Sequence, residues 1–401
     1  MSTVLRKAIK QTTFHILTNL CLFSFFLPTL HADFHSAERC TSIRHDEGDG
    51  SLAGMPVLDQ GMYINENPEG SGDSEEGDRS RTSLGLCYAI TASQFLDAYL
   101  NRTGQRPPGG SRASVLGVAQ SYIDLENVED SLEGGRVTRA IEAVSAGNSL
   151  CTVDSATGRE SNELAEALAL NHRLERFHES MSSWRDESFW LRFNLRGPIV
   201  DLARSHHGLV CRVNNFYQDH SLVLPNDVFQ ALETENDISP VLSPMIRNYC
   251  AQPGNQHRVQ RWPEVFNPPL RKKNREDLLH RYLEDPAGLP IPIDYCSRIL
   301  RPDRGLELPT WDKEENKWQI HRENCGKHAS LIVGRRFNRL THRCEFLVRN
   351  SWGSRCPESY VTREEGGYIT RCEENGQLWI NSEDLASAMY RMTAWEPLTE
   401  N

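Results

Sequence analysis

Residues 324–353 read NCGKHASLIVGRRFNRLTHRCEFLVRNSWG, and the rest of the chain is best interpreted outward from this stretch. Within it, Ala329–Val333 and Phe346–Val348 are apolar runs of strand length, and the polar residues between them favour a turn. Two strands joined by one short connection form an antiparallel hairpin, so His328 and Asn350 are expected at the same open end. An amide beside an imidazole fixes the orientation and tautomer of the ring, as a catalytic base requires.

A second stretch lies upstream, where residues 84–100 read LGLCYAITASQFLDAYL. Its apolar residues follow helical spacing and predict a helix that begins at Cys87. A cysteine in the first turn lies at the positive end of the helix dipole, and a neighbouring imidazole lowers the thiol pKa further. We therefore expect Cys87 to be a thiolate nucleophile. The alternative is a buried structural cysteine.

Four short motifs resemble those of the papain family of cysteine peptidases, and they occur in that family's order. They are Asp59–Gly61, Gly85–Ala89, Lys327–Ala329 and Asn350–Gly353. In addition, Glu133–Gly135 resembles the substrate-binding loop of the family. The Asn-Ser-Trp-Gly run is the most specific part of this resemblance, which covers roughly residues 56–160 and 274–395.

The resemblance implies an α+β, papain-like two-domain fold. A helical left domain would carry Cys87, an antiparallel β-barrel right domain would carry His328 and Asn350, and the site would lie in the cleft between them. The expected division is a signal peptide at 1–32, a short N-terminal segment at 33–55, the left domain at 56–160, a largely helical insertion at 161–273 and the right domain at 274–401.

Local patterns predict further elements outside the four motifs. Helices are expected at 114–124, 136–144, 162–170, 227–232, 277–284 and 382–392, and strands at 207–213 and 289–294, with a strand pair within 367–380. The strand at 289–294 is expected to pair with the hairpin that carries His328.

The resemblance also implies a division of chemical roles. Cys87 would attack a peptide carbonyl and form a thioester, while His328 takes up and returns the proton and Asn350 holds the ring. Gln60 would donate its side-chain amide to the oxyanion beside the backbone N–H of Cys87. Gln60 lies 27 residues before Cys87, further than is usual in the family, so an exposed loop glutamine is the alternative.

Four more residues have a proposed place around this site. Gly134 and Gly135 would let a substrate backbone approach and pair as an extended strand, although a plain turn is the alternative. Ala329 would line the pocket for the second residue before the scissile bond. Trp352 would cover the His328–Asn350 pair and exclude water.

The N-terminus predicts export. Three basic residues precede a dense apolar run at 20–27, and Leu30–Ala32 supplies a small residue for cleavage after Ala32. The apolar run is too short to span a bilayer, so a secreted or periplasmic protein without stable membrane insertion is expected. Removal of residues 1–32, which carry three basic and no acidic side chains, takes the formal charge from −11 to −14. An acidic surface argues against nucleic acid, and the resemblance implies a protein or peptide substrate and no cofactor.

The cysteines leave a second chemical class open. Of eleven in the chain, nine remain after Cys21 and Cys87 are set aside, and export makes disulfides plausible, with Cys356–Cys372 as the expected pair. Cys325-x-x-His328 and His342-x-Cys344 have a spacing that zinc ligands also show, so a structural zinc module is an alternative. An acyltransferase or an inactive, peptide-binding protein of the papain-like fold are further alternatives.

Residues 64–82 form an acidic insertion between Gln60 and Cys87. It holds six acids and three glycines and is expected to be an exposed loop. Only 23 residues separate the expected cleavage site from Pro56, too few for the long inhibitory propeptide of many relatives. The insertion is thus expected either to be a passive loop, which we favour, or to hinder substrate entry until it is cut.

Overall fold

The computed structural model describes part of the chain, and the structural statements below refer to that part. It comprises residues 40–55, 85–126, 134–153, 239–271, 274–285, 288–300, 310–312, 317–319, 326–351, 371–373 and 375–396. Several sequence predictions lie outside these residues: the signal peptide, Gln60, the acidic insertion, Trp352, Cys356, and the elements at 162–170, 207–213 and 227–232.

Six α-helices fall within the described residues. They are α1 (Cys87–Arg102), α2 (Val115–Glu126), α3 (Val137–Ala146), α4 (Ser239–Ala251), α5 (Arg275–Leu283) and α6 (Ser382–Ala388). The predicted helix beginning at Cys87 is confirmed. The helices predicted at 114–124, 136–144 and 277–284 are confirmed as well, with each boundary within two residues of the prediction.

The strands are mostly short, and two of them form the long hairpin. They are β1 (Ile43–Arg44), β2 (Arg112–Ala113), β3 (Ser149–Val153), β4 (Gln256–Arg258), β5 (Val265–Phe266), β6 (Ile291–Cys296), β7 (Thr310–Asp312), β8 (Lys317–Gln319), β9 (Lys327–Asn338), β10 (Arg343–Arg349), β11 (Arg371–Cys372), β12 (Leu378–Asn381), β13 (Met389–Met392) and β14 (Ala394–Trp395).

The predicted hairpin is confirmed as β9 and β10, which pair antiparallel. Their register shifts between Leu347 and Val348, because Leu347 faces Gly334 whereas Val348 faces Ile332. Val333 is therefore an extra residue on β9, and its carbonyl accepts a hydrogen bond from the backbone N–H of His45 at 2.8 Å. This β-bulge lies between the middle of the hairpin and its open end.

The main sheet has the order β11-β12-β10-β9-β6-β13, and β1 also pairs with β9. The predicted pairing of the 289–294 strand with the hairpin is confirmed, since β6 lies antiparallel to β9. The α+β class is also confirmed. The expected closed barrel is not found among the described residues, because β11 and β13 stand at opposite edges of the sheet. After β13 the chain leaves this sheet, and β14 pairs with β5.

The helix predicted at 382–392 is wrong in its second half. The α6 helix begins after Asn381, whose side chain caps it by accepting from the backbone N–H groups of Glu383 and Asp384, but it ends at Ala388. Residues 389–392 instead form β13, which pairs with β6. The apolar residues of that stretch suit either a helix or a strand, and the open edge of β6 decides the outcome.

The α1 helix lies in the centre of the molecule. Every residue from Tyr88 to Leu100 is buried, as expected for a helix that is covered on all sides. It packs against α2 and α3 on one side and against β6 and β9 on the other, and its Phe95 ring lies 5.8 Å from that of Trp395. One apolar cluster therefore joins the helices to the sheet.

Two disulfides lie entirely within the described residues, which confirms the prediction that the chain contains disulfides. Cys40–Cys344 joins the segment before β1 to β10, and Cys151–Cys250 joins β3 to α4. Cys296 and Cys372 are disulfide-bonded as well. The predicted Cys356–Cys372 pair stays a prediction, because Cys356 lies outside the described residues. Cys87 is the one cysteine of the described residues that is not disulfide-bonded.

The end of the expected insertion belongs with the helical part of the molecule. The α4 helix packs against α2, and β4 pairs with β3. The Cys151–Cys250 disulfide thus closes a loop that includes residues 161–250, which are most of the expected insertion. Within the described ranges, none of the helices combines the length and apolarity needed to cross a bilayer.

Candidate active site

The nucleophile candidate lies at the first residue of α1. Leu86, the N-cap residue, makes no side-chain capping bond, so the first-turn N–H groups of the helix have no capping side chain. The backbone N–H groups of Tyr88 and Cys87 lie near the Cys87 sulfur, and both act to lower the pKa of the thiol. The start of the helix therefore acts on the sulfur as the sequence predicts, through its N–H groups.

The base candidate lies at the open end of the hairpin, beside its orienting residue. The Nε2 atom of His328 is 2.6 Å from Oδ1 of Asn350, and both side chains are buried. The backbone N–H of Ser351 donates to the same Oδ1 at 2.8 Å. Because an amide NH₂ group cannot accept a hydrogen bond from a backbone N–H, this bond fixes which way the amide of Asn350 points.

The orientation of Asn350 determines the tautomer of His328. An amide oxygen only accepts hydrogen bonds, so Nε2 of His328 must carry the proton. Nδ1 is then the unprotonated, basic nitrogen of the neutral ring. This is the arrangement that lets a histidine take a proton from a neighbouring thiol.

A second layer of contacts holds the pair in place. Ser330 Oγ donates to Oδ1 of Asn350 at 3.4 Å, and the Tyr295 hydroxyl lies 3.0 Å from Ser330 Oγ. The ring of Tyr295 meets that of His328 edge-on, with 5.6 Å between centroids. Tyr295 faces His328 directly across the β6–β9 pairing, so the sheet itself places these residues together.

The structure brings Cys87 to the same place. A backbone hydrogen bond from Ala329, the residue after His328, reaches the Cys87 sulfur and lowers the pKa of the thiol. Ala329 is itself buried. The start of α1 and the open end of the hairpin therefore meet, and Cys87, His328, Ala329 and Asn350 form one site.

Burial reverses the expected shift of the thiol pKa. It raises the pKa of Cys87 to about 11, which outweighs the lowering by the N–H groups of Ala329, Tyr88 and Cys87 itself. Burial also lowers the pKa of the His328 imidazole to about 4, against the hydrogen bond to Asn350. An isolated charge on either group is therefore unfavourable. Moving a proton from the thiol to Nδ1 creates both charges together, so the pair stays neutral overall.

The substrate-loop candidates lie beside the nucleophile. The backbone N–H of Gly134 donates to the carbonyl of Gly85 at 3.1 Å, which attaches this loop to the segment just before Cys87. Gly134 has a φ of 77°, in the left-handed region that favours glycine. A Cβ on Gly135 would lie 2.6 Å from the ring of Tyr88, so only glycine lets the loop backbone pack this closely.

Sequence reasoning missed a charged group next to the thiol. Asp294 is buried on β6 directly opposite Ala329, and Arg391 donates to its Oδ2 at 3.2 Å. Burial raises the pKa of Asp294 to about 6, and its negative charge raises the pKa of both Cys87 and Tyr390. The sequence carries one signal for Asp294, because this acid ends the apolar run at 289–293. Every residue of β6 is buried in the structure.

The zinc alternative does not fit the geometry. His328 lies at the open end of the hairpin, whereas His342 and Cys344 lie at its turn, roughly 30 Å away along the strands at about 3.3 Å per residue. Within the described residues, one cluster has metal-ligand spacing: Cys40, His280 and Cys344. Its two sulfurs are bonded to each other, and Nδ1 of His280 lies 3.0 Å from Nη1 of Arg335, which can only donate. That cluster is a disulfide beside a hydrogen-bonded histidine.

No family model matches the chain, and no curated protein matches it. The candidate site is therefore interpreted from its own chemistry and from the resemblance of its motifs.

Proposed function

We propose that this chain is a papain-like cysteine peptidase, which hydrolyses peptide bonds through a thioester on Cys87. The observation that carries the proposal is the 2.6 Å contact between His328 Nε2 and Asn350 Oδ1, in a site shared with the Cys87 sulfur. Thiol acyl transfer needs a thiol at a helix N-terminus, a base whose Nδ1 is unprotonated in this tautomer, and an amide that orients the base.

Acylation would begin with proton transfer inside the pair. As the Cys87 sulfur attacks the peptide carbonyl carbon, its proton moves to Nδ1 of His328 and the carbonyl electron pair moves onto oxygen. The C–N bond then breaks, and His328 returns the proton to the leaving amine nitrogen. The products of this half-reaction are a thioester on Cys87 and a free amine.

Deacylation would repeat the sequence with water. His328 takes a proton from water as the water oxygen attacks the thioester carbonyl carbon, and collapse of the intermediate breaks the C–S bond. The acid product leaves, and the proton returns to sulfur. The bond between Nε2 and Asn350 stabilises the imidazolium that forms transiently in each half-reaction.

Charge on the substrate oxygen would be stabilised by donors at the start of α1. The backbone N–H of Cys87 is one proposed donor, and the side-chain amide of Gln60 is the second. Gly134 and Gly135 would hold the substrate backbone as an extended strand, next to the pocket that Ala329 lines.

The proposal also includes the two-domain arrangement of the fold and the location of the mature protein. The helices around α1 would form the left domain and the sheet of β9 and β10 the right domain, with the substrate between them. The mature chain would begin at Asp33 and act outside the cytoplasm on a protein or peptide, in keeping with disulfides at Cys40–Cys344 and Cys151–Cys250.

Labelling and substitution of the thiol test the proposal. The purified mature protein is treated with iodoacetamide or an epoxide, the modified residue is mapped, and turnover of a fluorogenic peptide is followed. We expect one modified residue, Cys87, and loss of turnover both after labelling and in Cys87→Ala. Ser93→Ala, a buried change on the same helix, is the matched control and should keep full turnover.

Full activity of Cys87→Ala would overturn the assignment of the nucleophile. Transfer of the acyl group to an added amine in preference to water would favour an acyltransferase. Reaction of Cys87 with the epoxide, without turnover of any peptide, would favour an inactive, peptide-binding protein.

A further inference from the structure

Arg349 links three parts of the molecule that have to be aligned at the site. It is the last residue of β10 and precedes Asn350 in the chain. Its Nε donates to Oε1 of Gln94 on α1 at 2.5 Å, and its Nη2 donates to the carbonyl of Met55 at 2.7 Å. One buried guanidinium therefore connects the hairpin, the nucleophile helix and the segment before the helix.

Both ends of this connection lead directly to the reacting groups. Gln94 lies seven residues after Cys87, which is about two turns or 10 Å along the same face of a rigid helix. On the other side, Arg349 is covalently joined to Asn350, whose Oδ1 holds His328. Beside the packing of α1 against β9, one polar path from the sulfur to the imidazole thus runs through the side chain of Arg349.

Apolar packing alone would not require an arginine at this position. Arg349 is 2% exposed, and burial lowers the pKa of its guanidinium to about 10. Arg112 lowers that pKa as well, whereas Asp46 and Asp97 raise it. Replacing a whole buried ion pair by apolar side chains of similar volume is often neutral or stabilising, so a buried guanidinium is weak evidence for stability alone. What an apolar side chain cannot do is donate from a planar fork in two fixed directions at once.

We propose that Arg349 is a positioning residue of the thiol reaction, which holds α1 against the end of β10 so that the Cys87 sulfur lies at Nδ1 of His328. The inference rests on the proposed function, because it concerns the alignment of the same pair. Misplacement of reacting atoms by about 1 Å costs on the order of 100-fold in rate, so a clamp of this kind affects turnover without touching substrate.

The first measurement reads the alignment directly and needs no turnover. The rate of Cys87 alkylation by iodoacetamide is followed against pH in the full mature chain. Wild type and His328→Gln define the profiles with and without the base. We expect Arg349→Met, which keeps the volume but removes the fork, to move the profile toward that of His328→Gln. Arg349→Lys, which keeps the charge on one nitrogen, should move it in the same direction.

The second measurement separates kcat from KM on a peptide substrate. Arg349→Met should lower kcat by roughly 10- to 100-fold and change KM little, because the substrate contacts remain. Gln94→Glu keeps an oxygen acceptor for the guanidinium and should retain the profile and kcat of the wild type. Gln94→Leu removes the acceptor and should give a smaller change in the direction of Arg349→Met.

Arg275→Met is the matched control for loss of a buried arginine. Arg275 is as buried as Arg349, but its Nη1 donates to the carbonyls of Ala386 and Met389, which belong neither to α1 nor to β10. The control should lower the unfolding midpoint and leave both the alkylation profile and kcat unchanged. An equal shift in Arg275→Met would reduce the role of Arg349 to general stability and overturn the proposal.

A folded Arg349→Met with the profile and kcat of the wild type would also overturn it. Where Arg349→Met does not fold, Gln94→Leu is the deciding variant, and a wild-type profile there has the same meaning. These results are distinct from failure of the proposed function, in which wild type and His328→Gln would already give the same alkylation profile.

Discussion

Asn350 controls the chemistry of its neighbour by where its amide oxygen lies. Three donors converge on that oxygen: Nε2 of His328, the N–H of Ser351 and, more weakly, the hydroxyl of Ser330. The backbone donor at Ser351 is the decisive one, because it prevents the amide from presenting its NH₂ group to the ring. A single hydrogen bond therefore determines which nitrogen of His328 is the base.

This arrangement predicts a graded order of damage. Cys87→Ala and His328→Gln should abolish turnover, whereas Asn350→Ala should lower kcat less, because it removes the orienting group and leaves the base. Gln60→Ala should cost on the order of 100-fold, the scale of one oxyanion donor. Steady-state kinetics on one peptide substrate measure all four.

Ser330→Ala is the control for Asn350→Ala, because its contact at 3.4 Å is the weakest of the three and its loss should change kcat little. Asn350→Ala as damaging as His328→Gln would show that Asn350 does more than orient the ring. An unchanged rate in Gln60→Ala would mean that another donor stabilises the oxyanion.

Asp294 gives a pH-dependent prediction with a definite sign. Its carboxylate raises the pKa of Cys87, because a nearby negative charge disfavours a thiolate. Asp294→Asn removes that charge, so the pKa of the thiol should fall and alkylation of Cys87 should begin at lower pH. The alkylation rate, followed from about pH 7 to about pH 12 so that the range includes the thiol pKa of about 11, would show the shift.

Asp124→Asn is a suitable control, since Asp124 pairs with Arg247 at the surface and does not act on the thiol. A profile that moves to higher pH in Asp294→Asn would mean that loss of the Arg391 ion pair has displaced the site. In that case the charge argument would not hold.

At the scale of elements, the hairpin and the nucleophile helix could be predicted because each is encoded in consecutive residues. Apolar runs around a polar turn specify β9 and β10, and helical spacing after Cys87 specifies α1. The second half of the predicted helix at 382–392 failed because its apolar residues suit two structures. Pairing with β6, which is remote in sequence, made the choice.

The parts of the site that could not be predicted arise from contacts remote in sequence. Asp294 acts on Cys87 from a strand about 200 positions later, and Arg349 meets Gln94 across 255 positions. No local pattern encodes such meetings. The thiol pKa was also predicted with the wrong sign, because the helix start is visible in sequence whereas the degree of burial around the sulfur is not.

The loop of Gly134 and Gly135 supplies a prediction at this scale. A Cβ in Gly135→Ala would lie 2.6 Å from the Tyr88 ring, so the loop must move away from the start of α1. We expect an increase in KM for peptide substrates and a loss of stability of about 1–3 kcal/mol, the usual cost of overpacking. Kinetics and urea unfolding measure the two effects.

Gly147→Ala tests whether any glycine change near these helices would do the same. Gly147 ends α3 with a negative φ, and its nearest Cβ neighbour would be 3.4 Å away, an ordinary contact. That variant should keep the KM of the wild type. A KM that stays unchanged in Gly135→Ala would separate the loop from substrate binding.

At the scale of the whole molecule, disulfides connect parts that the sequence separates widely. The Cys151–Cys250 bond joins β3 to α4 across 99 positions, so it constrains the unfolded chain over the expected insertion. A crosslink of that span contributes up to about 4.7 kcal/mol in the chain-entropy treatment, and about 2–4 kcal/mol is typical. The double variant Cys151→Ala/Cys250→Ala should therefore unfold at a clearly lower urea concentration.

The same preparation tests export and disulfide content. Intact mass should place the first residue at Asp33 and should rise on reduction by two hydrogens for each disulfide. A mature chain that retains residues 1–32, or a mass that does not change on reduction, would contradict the export argument. The alkylation profile of Cys87 should be the same in the double variant, because Cys151 and Cys250 lie outside the site.

The bulge at Val333 has a consequence that is a matter of parity. Side chains alternate between the two faces of a regular strand, so two of its residues share a face only when their sequence numbers differ by an even number. With Val333 as a supernumerary residue, the register continues as Val348–Ile332 and Arg349–Leu331, which puts Asn350 across from Ser330 and on the face of His328. A regular ladder in which Val333 paired with Val348 would instead place Asn350 across from Leu331, and Asn350 and His328 would then lie on opposite faces of the sheet. The His328–Asn350 pair therefore depends on the one extra residue that β9 has relative to β10.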